Sequence, residues 1–217
     1  MSPLSSPELA HMAENFYGYG RWDAPFWFLG AEAGMSKDGI DSLSARFKSW
    51  QEIGGAGVVD CAKHHHGFGM TKWHQPHPPT QPTWRQLIRL FLAHKCMNPN
   101  IEDIRAYQRD HWGSKDGETC VIELMGLASP NMRTPQDRTT FLSRRIERIR
   151  KEAFTHQPAF IVMYGLGQRE EWERIAGQKF DSNGICHIGK TIAALASHPV
   201  AKGLDNEYWV KLGQALR

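Results

Sequence analysis

The chain has 217 residues, 41% of them hydrophobic and 23% charged, with a formal net charge of +3. One domain, 1–217, accommodates that length, and the composition excludes wholesale disorder. No run nears the ~18 apolar residues of a membrane span, and the first ten residues lack a leader's basic and apolar regions, so a cytoplasmic, nucleoid-associated protein is expected.

Pro7 to Tyr19 reads as a first helix, with Leu9, Met12, Ala13 and Phe16 on one stripe. The apolar run Pro25 to Gly30 reads as a buried strand. A glycine-bounded loop follows to Gly39, then an amphipathic helix from Asp41 to Gln51 and an extended piece, Val58 to Asp60. Residues 62–82 hold four prolines and five histidines and read as a long loop, polar and flexible, in contact with DNA or solvent. Thr83 is expected to cap a helix running to Lys95, and Ile101 to Trp112 reads as another.

Thr119 to Met125 reads as a second buried strand, interrupted by Glu123, and Gly126 to Pro135 as a polar loop. In the helix Thr139 to Phe154, Arg144, Arg145, Arg148, Arg150 and Lys151 are expected to coat the solvent face. Ala159 to Tyr164 reads as a third buried strand, Gln168 to Ala176 as a helix, Thr191 to Ala196 as a fourth strand, and Asp205 to Leu216 as a last helix. Four buried strands alternating with helices predict an α/β protein built on a mainly parallel sheet, with helices on both faces.

Ligands of such sheets bind at the carboxyl ends of the strands. There stand Glu32 in Gly30-Ala31-Glu32-Ala33-Gly34, Glu123, Tyr164-Gly165 and Ser197-His198-Pro199. Two carboxylates and a histidine on one edge suit acid–base chemistry.

Three of these stretches, in this order, resemble the uracil-DNA glycosylase superfamily. They are the strand running into Gly30 to Gly34, the strand and Pro-Asn-Arg loop Val121 to Arg133, and the strand ending in His198-Pro199. The resemblance implies a three-layer α/β/α sandwich around a four-stranded parallel sheet. It also implies hydrolysis of the N-glycosidic bond of a base flipped out of DNA. It makes Glu32 and His198 the catalytic pair: Glu32 to orient water and stabilise a cationic sugar, His198 to hydrogen-bond the departing base. Gly30, Ala31, Gly34, Phe68 and Glu123 become base-binding residues, with Phe68 the stacking aromatic and Trp73 its runner-up. Ser129, Asn131, Arg133, Ser197 and Lys202 become DNA contacts, and Leu204 or Val200 the wedge entering the duplex.

Two departures from the family pattern suggest the substrate. Gly34 stands where uracil-specific members block a 5-substituent with tyrosine. Glu123 stands where an asparagine reads uracil, and an ionised carboxylate only accepts hydrogen bonds, which suits the amine of cytosine. A 5-substituted or glucosylated cytosine is therefore expected beside uracil, with repair or defence against phage as the use. The alternative is a non-catalytic binder of damaged or modified DNA on the same fold.

No cofactor is expected. Cys61, Cys96, Cys120 and Cys186 lack the close pair of iron–sulfur members and read as buried thiols. His64, His65 and His66 are adjacent and point apart, so no metal is expected either, and a metal-dependent hydrolase ranks third. No membrane and no obligate protein partner is called for.

Overall fold

The computed structural model describes residues 7–34, 43–128 and 140–217. Among them are seven strands: β1 (Gly18–Tyr19), β2 (Phe26–Gly30), β3 (Val58–Val59), β4 (Thr119–Glu123), β5 (Phe160–Tyr164), β6 (Ile185–Ile188) and β7 (Thr191–Ala196). Eight helices accompany them: α1 (Pro7–Asn15), α2 (Leu43–Glu52), α3 (Cys61–Gly67), α4 (Pro82–His94), α5 (Ile101–Asp110), α6 (Leu142–His156), α7 (Arg169–Ala176) and α8 (Asn206–Ala215). No helix among the described residues is long and apolar enough to cross a membrane.

The strands form one mixed sheet in the order β3-β1-β4-β2-β5-β7-β6. The four strands read from the sequence are its inner ones, β4, β2, β5 and β7, and they run parallel to one another. The three additions are short or lie at an edge. β1 pairs antiparallel with β4 where the sequence suggested the end of the first helix. A side chain is impossible at Gly18, because a Cβ there would lie 2.1 Å from the carbonyl oxygen of Val121. β6 pairs antiparallel with β7 across the two-residue turn Gly189-Lys190. It is only partly buried, so it lacks the continuous apolar run that marks the inner strands.

The strands are buried on both faces because helices cover both. Phe26, Phe28, Val121, Phe160 and Val162 face α1, α4, α5 and α8 in one core cluster. The alternate residues Trp27, Leu29, Ile122, Ile161 and Met163 face α6 and α7 in the other. Of the eight tryptophans, Trp27, Trp50, Trp112, Trp172 and Trp209 are fully buried in the core.

Two expectations need correction. Residues 61–67 are helical, so the histidine run belongs to α3, capped by the Asp60 side chain accepting from the Lys63 amide at 3.0 Å. Arg145 is not on the solvent face of α6 but buried at 2% exposure. Its guanidinium donates to the carbonyls of Leu124 (2.6 Å), Glu123 (2.7 Å), Ala13 (2.9 Å) and Glu14 (3.3 Å). It also lies over the Tyr17 ring, 4.2 Å from the centroid. Arg145 thereby ties α6 to α1 and to the carboxyl end of β4.

From β2 the chain moves to β4 on one side and later to β5 on the other. This reversal makes the carboxyl end of β2 the switch point of the sheet, where a crevice opens. Gly30 to Gly34 leads out of it.

Candidate active site

A pocket of about 260 Å³ lies at this edge of the sheet. Its wall includes Glu32 and Gly34 after β2, Glu123 at the end of β4, Tyr164 at the end of β5 and His198 after β7. Side chains far apart in sequence meet there because four parallel strands end together. A groove of about 670 Å³ between α6 and α7 is larger, but it lies on the other face of the sheet and is walled by salt-bridging surface residues such as Glu173.

Glu123 is buried, and its Oε2 has no hydrogen-bond partner among the described residues. Burial pushes its carboxyl up to about 8, against the pull of the Arg46 and Arg145 guanidinium groups. Burial therefore favours the protonated carboxyl, where the sequence reading expects an ionised, purely accepting one: desolvation outweighs both cations.

Arg46 joins the site without a sequence motif to mark it. It lies on α2, is 5% exposed and lines the pocket. Its Nη2 donates to the Gly34 carbonyl at 3.0 Å, tying the loop after β2 to α2. The available signal was the helix stripe Arg46, Ser49, Trp50, which places an arginine on a buried face. Tyr164, read from the sequence only as a strand end, also lines the pocket. Its ring fills the space beside Gly30, where a Cβ would meet the phenol oxygen at 2.1 Å. Gly30 thus makes room for Tyr164, and neither Gly30 nor Ala31 is part of the pocket wall.

His198 is exposed to solvent, and its ring meets Tyr164 edge-on with centroids 5.8 Å apart. The Val200 amide donates to its Nδ1 at 3.3 Å. An amide nitrogen can only donate, so Nδ1 accepts and the neutral ring carries its proton on Nε2. Partial desolvation lowers the pKa of His198, which favours this neutral form.

The aromatic wall differs from the expected one. Phe68 is 4% exposed, sits under the Arg46 guanidinium at 4.7 Å, and is absent from the pocket wall. Trp73 and Trp84 line the pocket instead, with His65 stacked on Trp84 at 5.5 Å and 12°. Residues 68–81 are pinned by the buried Gln108, whose amide nitrogen donates to the carbonyls of Trp73 and Pro79, each at 3.0 Å. Its amide oxygen accepts from the Gln81 backbone at 2.8 Å. Between these ties the segment is a solvated loop as expected, with Thr71, Lys72, Gln75, Pro76 and His77 exposed.

Leu204 is partly buried against the core, whereas Val200 is 54% exposed. Ser197 is half-buried, and its amide donates to the Tyr208 hydroxyl at 3.4 Å. Lys202 is exposed beyond β7. Ser129, Asn131 and Arg133 lie outside the described residues.

Beside the pocket, Cys61, His65 and His74 each bring one potential ligand atom within 4.8 Å of the other two. His64 takes another course: its Nε2 donates to the Arg46 carbonyl at 3.0 Å, and burial lowers its pKa to about 4. Cys61, Cys120 and Cys186 are buried, whereas Cys96 is exposed. Burial raises the Cys61 and Cys120 thiols above the usual range, which disfavours either as a nucleophile.

No protein-family model matches the chain, and no curated protein matches it.

Proposed function

We propose that this protein is a DNA glycosylase that hydrolyses the N-glycosidic bond of a flipped-out pyrimidine, with Glu32 and His198 as its catalytic pair. The observation that carries this reading is the meeting of Glu32, Glu123 and His198 in one pocket although they follow three different strands. The volume falls below the roughly 300–1,000 Å³ of drug-sized sites and suits a small planar ligand. Helices on both faces of the sheet support the three-layer sandwich of the uracil-DNA glycosylase superfamily.

The chemistry follows from the side chains. Glu32 orients a water toward the sugar C1′ and stabilises positive charge as the C–N bond lengthens. The bond's electron pair leaves with the base, and negative charge grows on its carbonyl oxygen. The Nε2–H of neutral His198 donates to that oxygen without giving up its proton. Water adds to C1′, its proton is released, and the free base is protonated from solvent.

Glu123 reads the base edge as a neutral acid. Its hydroxyl donates and its carbonyl accepts, matching the N3 and O4 edge of uracil or the N3 and N4 edge of cytosine. Glu123 alone therefore does not select cytosine at neutral pH. Selection of a 5-substituted pyrimidine rests on Gly34, where a Cβ would meet none of the described residues within 4 Å. Excision of a modified cytosine would serve defence against phage, and excision of uracil would serve repair.

The deciding experiment is detection of free bases by mass from oligonucleotides carrying uracil, 5-hydroxymethylcytosine or its glucosylated form. Release of a substituted base supports the full reading. Release of uracil alone removes the role given to Gly34. Binding of modified DNA without any release identifies a non-catalytic reader instead.

A further inference from the structure

The proposed chemistry at Glu32 and His198 leaves one set of strong metal ligands unused. Cys61 and His65 stand four residues apart on α3 and so share a face of that helix. His74 returns to the same face from the segment after α3, and its Nε2 lies 2.9 Å from Nδ1 of His65. The Cys61 sulfur is fully buried and forms no disulfide. Two ring nitrogens at that separation share at most one proton, so at least one points a lone pair at the other.

We propose that Cys61, His65 and His74 bind a zinc ion that fastens residues 68–81 to α3 and so sets one wall of the pocket. One thiolate and two imidazoles form a nitrogen–sulfur set that suits zinc, whereas calcium and magnesium demand oxygen ligands. A tetrahedral ion with bonds of about 2.0 Å to nitrogen and 2.3 Å to sulfur needs its ligand atoms roughly 3.3–3.6 Å apart. The nitrogens must separate slightly and the sulfur must approach from within 4.8 Å. Side-chain torsions supply movements of that size. Binding displaces the thiol proton to solvent, and water completes the fourth position. The bound segment carries Met70, Lys72 and Trp73, and His65 itself lines the pocket. The clamp thus acts on the shape of the pocket and does not depend on the glycosylase reading.

The test uses the full chain without a histidine tag. Elemental analysis after dialysis is expected to give about one zinc per chain in the wild type and in His66→Ala, whose ring lies outside the cluster. Zinc should fall at least tenfold in Cys61→Ser and in His74→Ala. Cobalt added to the metal-free wild type should produce thiolate-to-metal charge-transfer absorption, missing in Cys61→Ser. This optical readout stands even if a variant folds poorly. Peptides from 68–81 should exchange amide hydrogen faster once the metal is removed. Wild-type protein that shows no thiolate band with cobalt, or zinc retained equally in Cys61→Ser and His74→Ala, overturns the proposal.

Discussion

The two sides of β4 treat buried polar groups in opposite ways, and Glu123 belongs to both. Behind the strand, Arg145 donates to four backbone carbonyls, one of them that of Glu123. At the pocket, the Glu123 carboxyl is just as buried, yet its Oε2 finds no partner among the described residues. A buried ionic group that holds structure is satisfied within the protein, because an unmet donor or acceptor costs about 1–3 kcal/mol or more. A group left incomplete in a pocket bears that cost in the free protein, and a ligand that supplies the missing bond recovers it. The asymmetry separates a buried cation whose donors are met from a buried carboxyl with an unmet oxygen at the pocket.

Removing the architectural side should have the largest effect on stability. Arg145→Met leaves four carbonyls short of a donor, and at about 1–3 kcal/mol for each buried acceptor left unmet, denaturant unfolding should show a loss of several kcal/mol. A loss under 1 kcal/mol would mean that the contacts of Arg145 are incidental.

On the pocket side, activity should fall while the fold holds. Glu32→Gln and His198→Ala should each lower abasic-site formation by about 10²–10⁴-fold with stability nearly unchanged. Should both variants keep full activity, the catalytic assignment fails.

Glu123→Gln tests whether the carboxyl is neutral. The folded carboxyl titrates at about 8, and an unfolded one near 4.3. As pH rises from about 5 to 8, the unfolded chain sheds a proton that the folded chain retains. Wild-type stability should therefore decline over that window. The amide variant lacks this decline, so its advantage should grow to a few kcal/mol by pH 8. Parallel stability curves from pH 5 to 8 would show that Glu123 is ionised in the folded state. The same titration bears on specificity: above pH 8 the ionised acid repels uracil O4, so uracil release should fall relative to release of a cytosine base.

The smallest effect on stability belongs to Gly34→Tyr. A Cβ there meets none of the described residues within 4 Å, so stability should change by less than about 0.5 kcal/mol. Release of 5-substituted bases should drop while uracil release persists. An equal loss on both substrates would show that Gly34 serves the loop backbone and not selectivity.

The legible parts of the sequence were those encoded by near neighbours. The inner strands announce themselves as continuous apolar runs, and residues at their carboxyl ends, such as Glu32 and His198, follow from the general behaviour of parallel sheets. The helices follow from periodicity, with end shifts such as that at α4, where Gln81 and not Thr83 caps the helix by accepting from the Trp84 amide at 2.7 Å. Other features depend on contacts across the fold. Periodicity could not show that Arg145 points inward, because its partners at Ala13 and Leu124 are supplied by other elements. The charge state of Glu123 depends on how completely other elements exclude water from it. The separate roles of His64 and His65 depend on partners from other elements, the Arg46 carbonyl on α2 for one and His74 for the other. Local order determined which elements form and where a site would open. Only the tertiary structure decided which polar groups meet, which lose their water, and hence what each can do chemically.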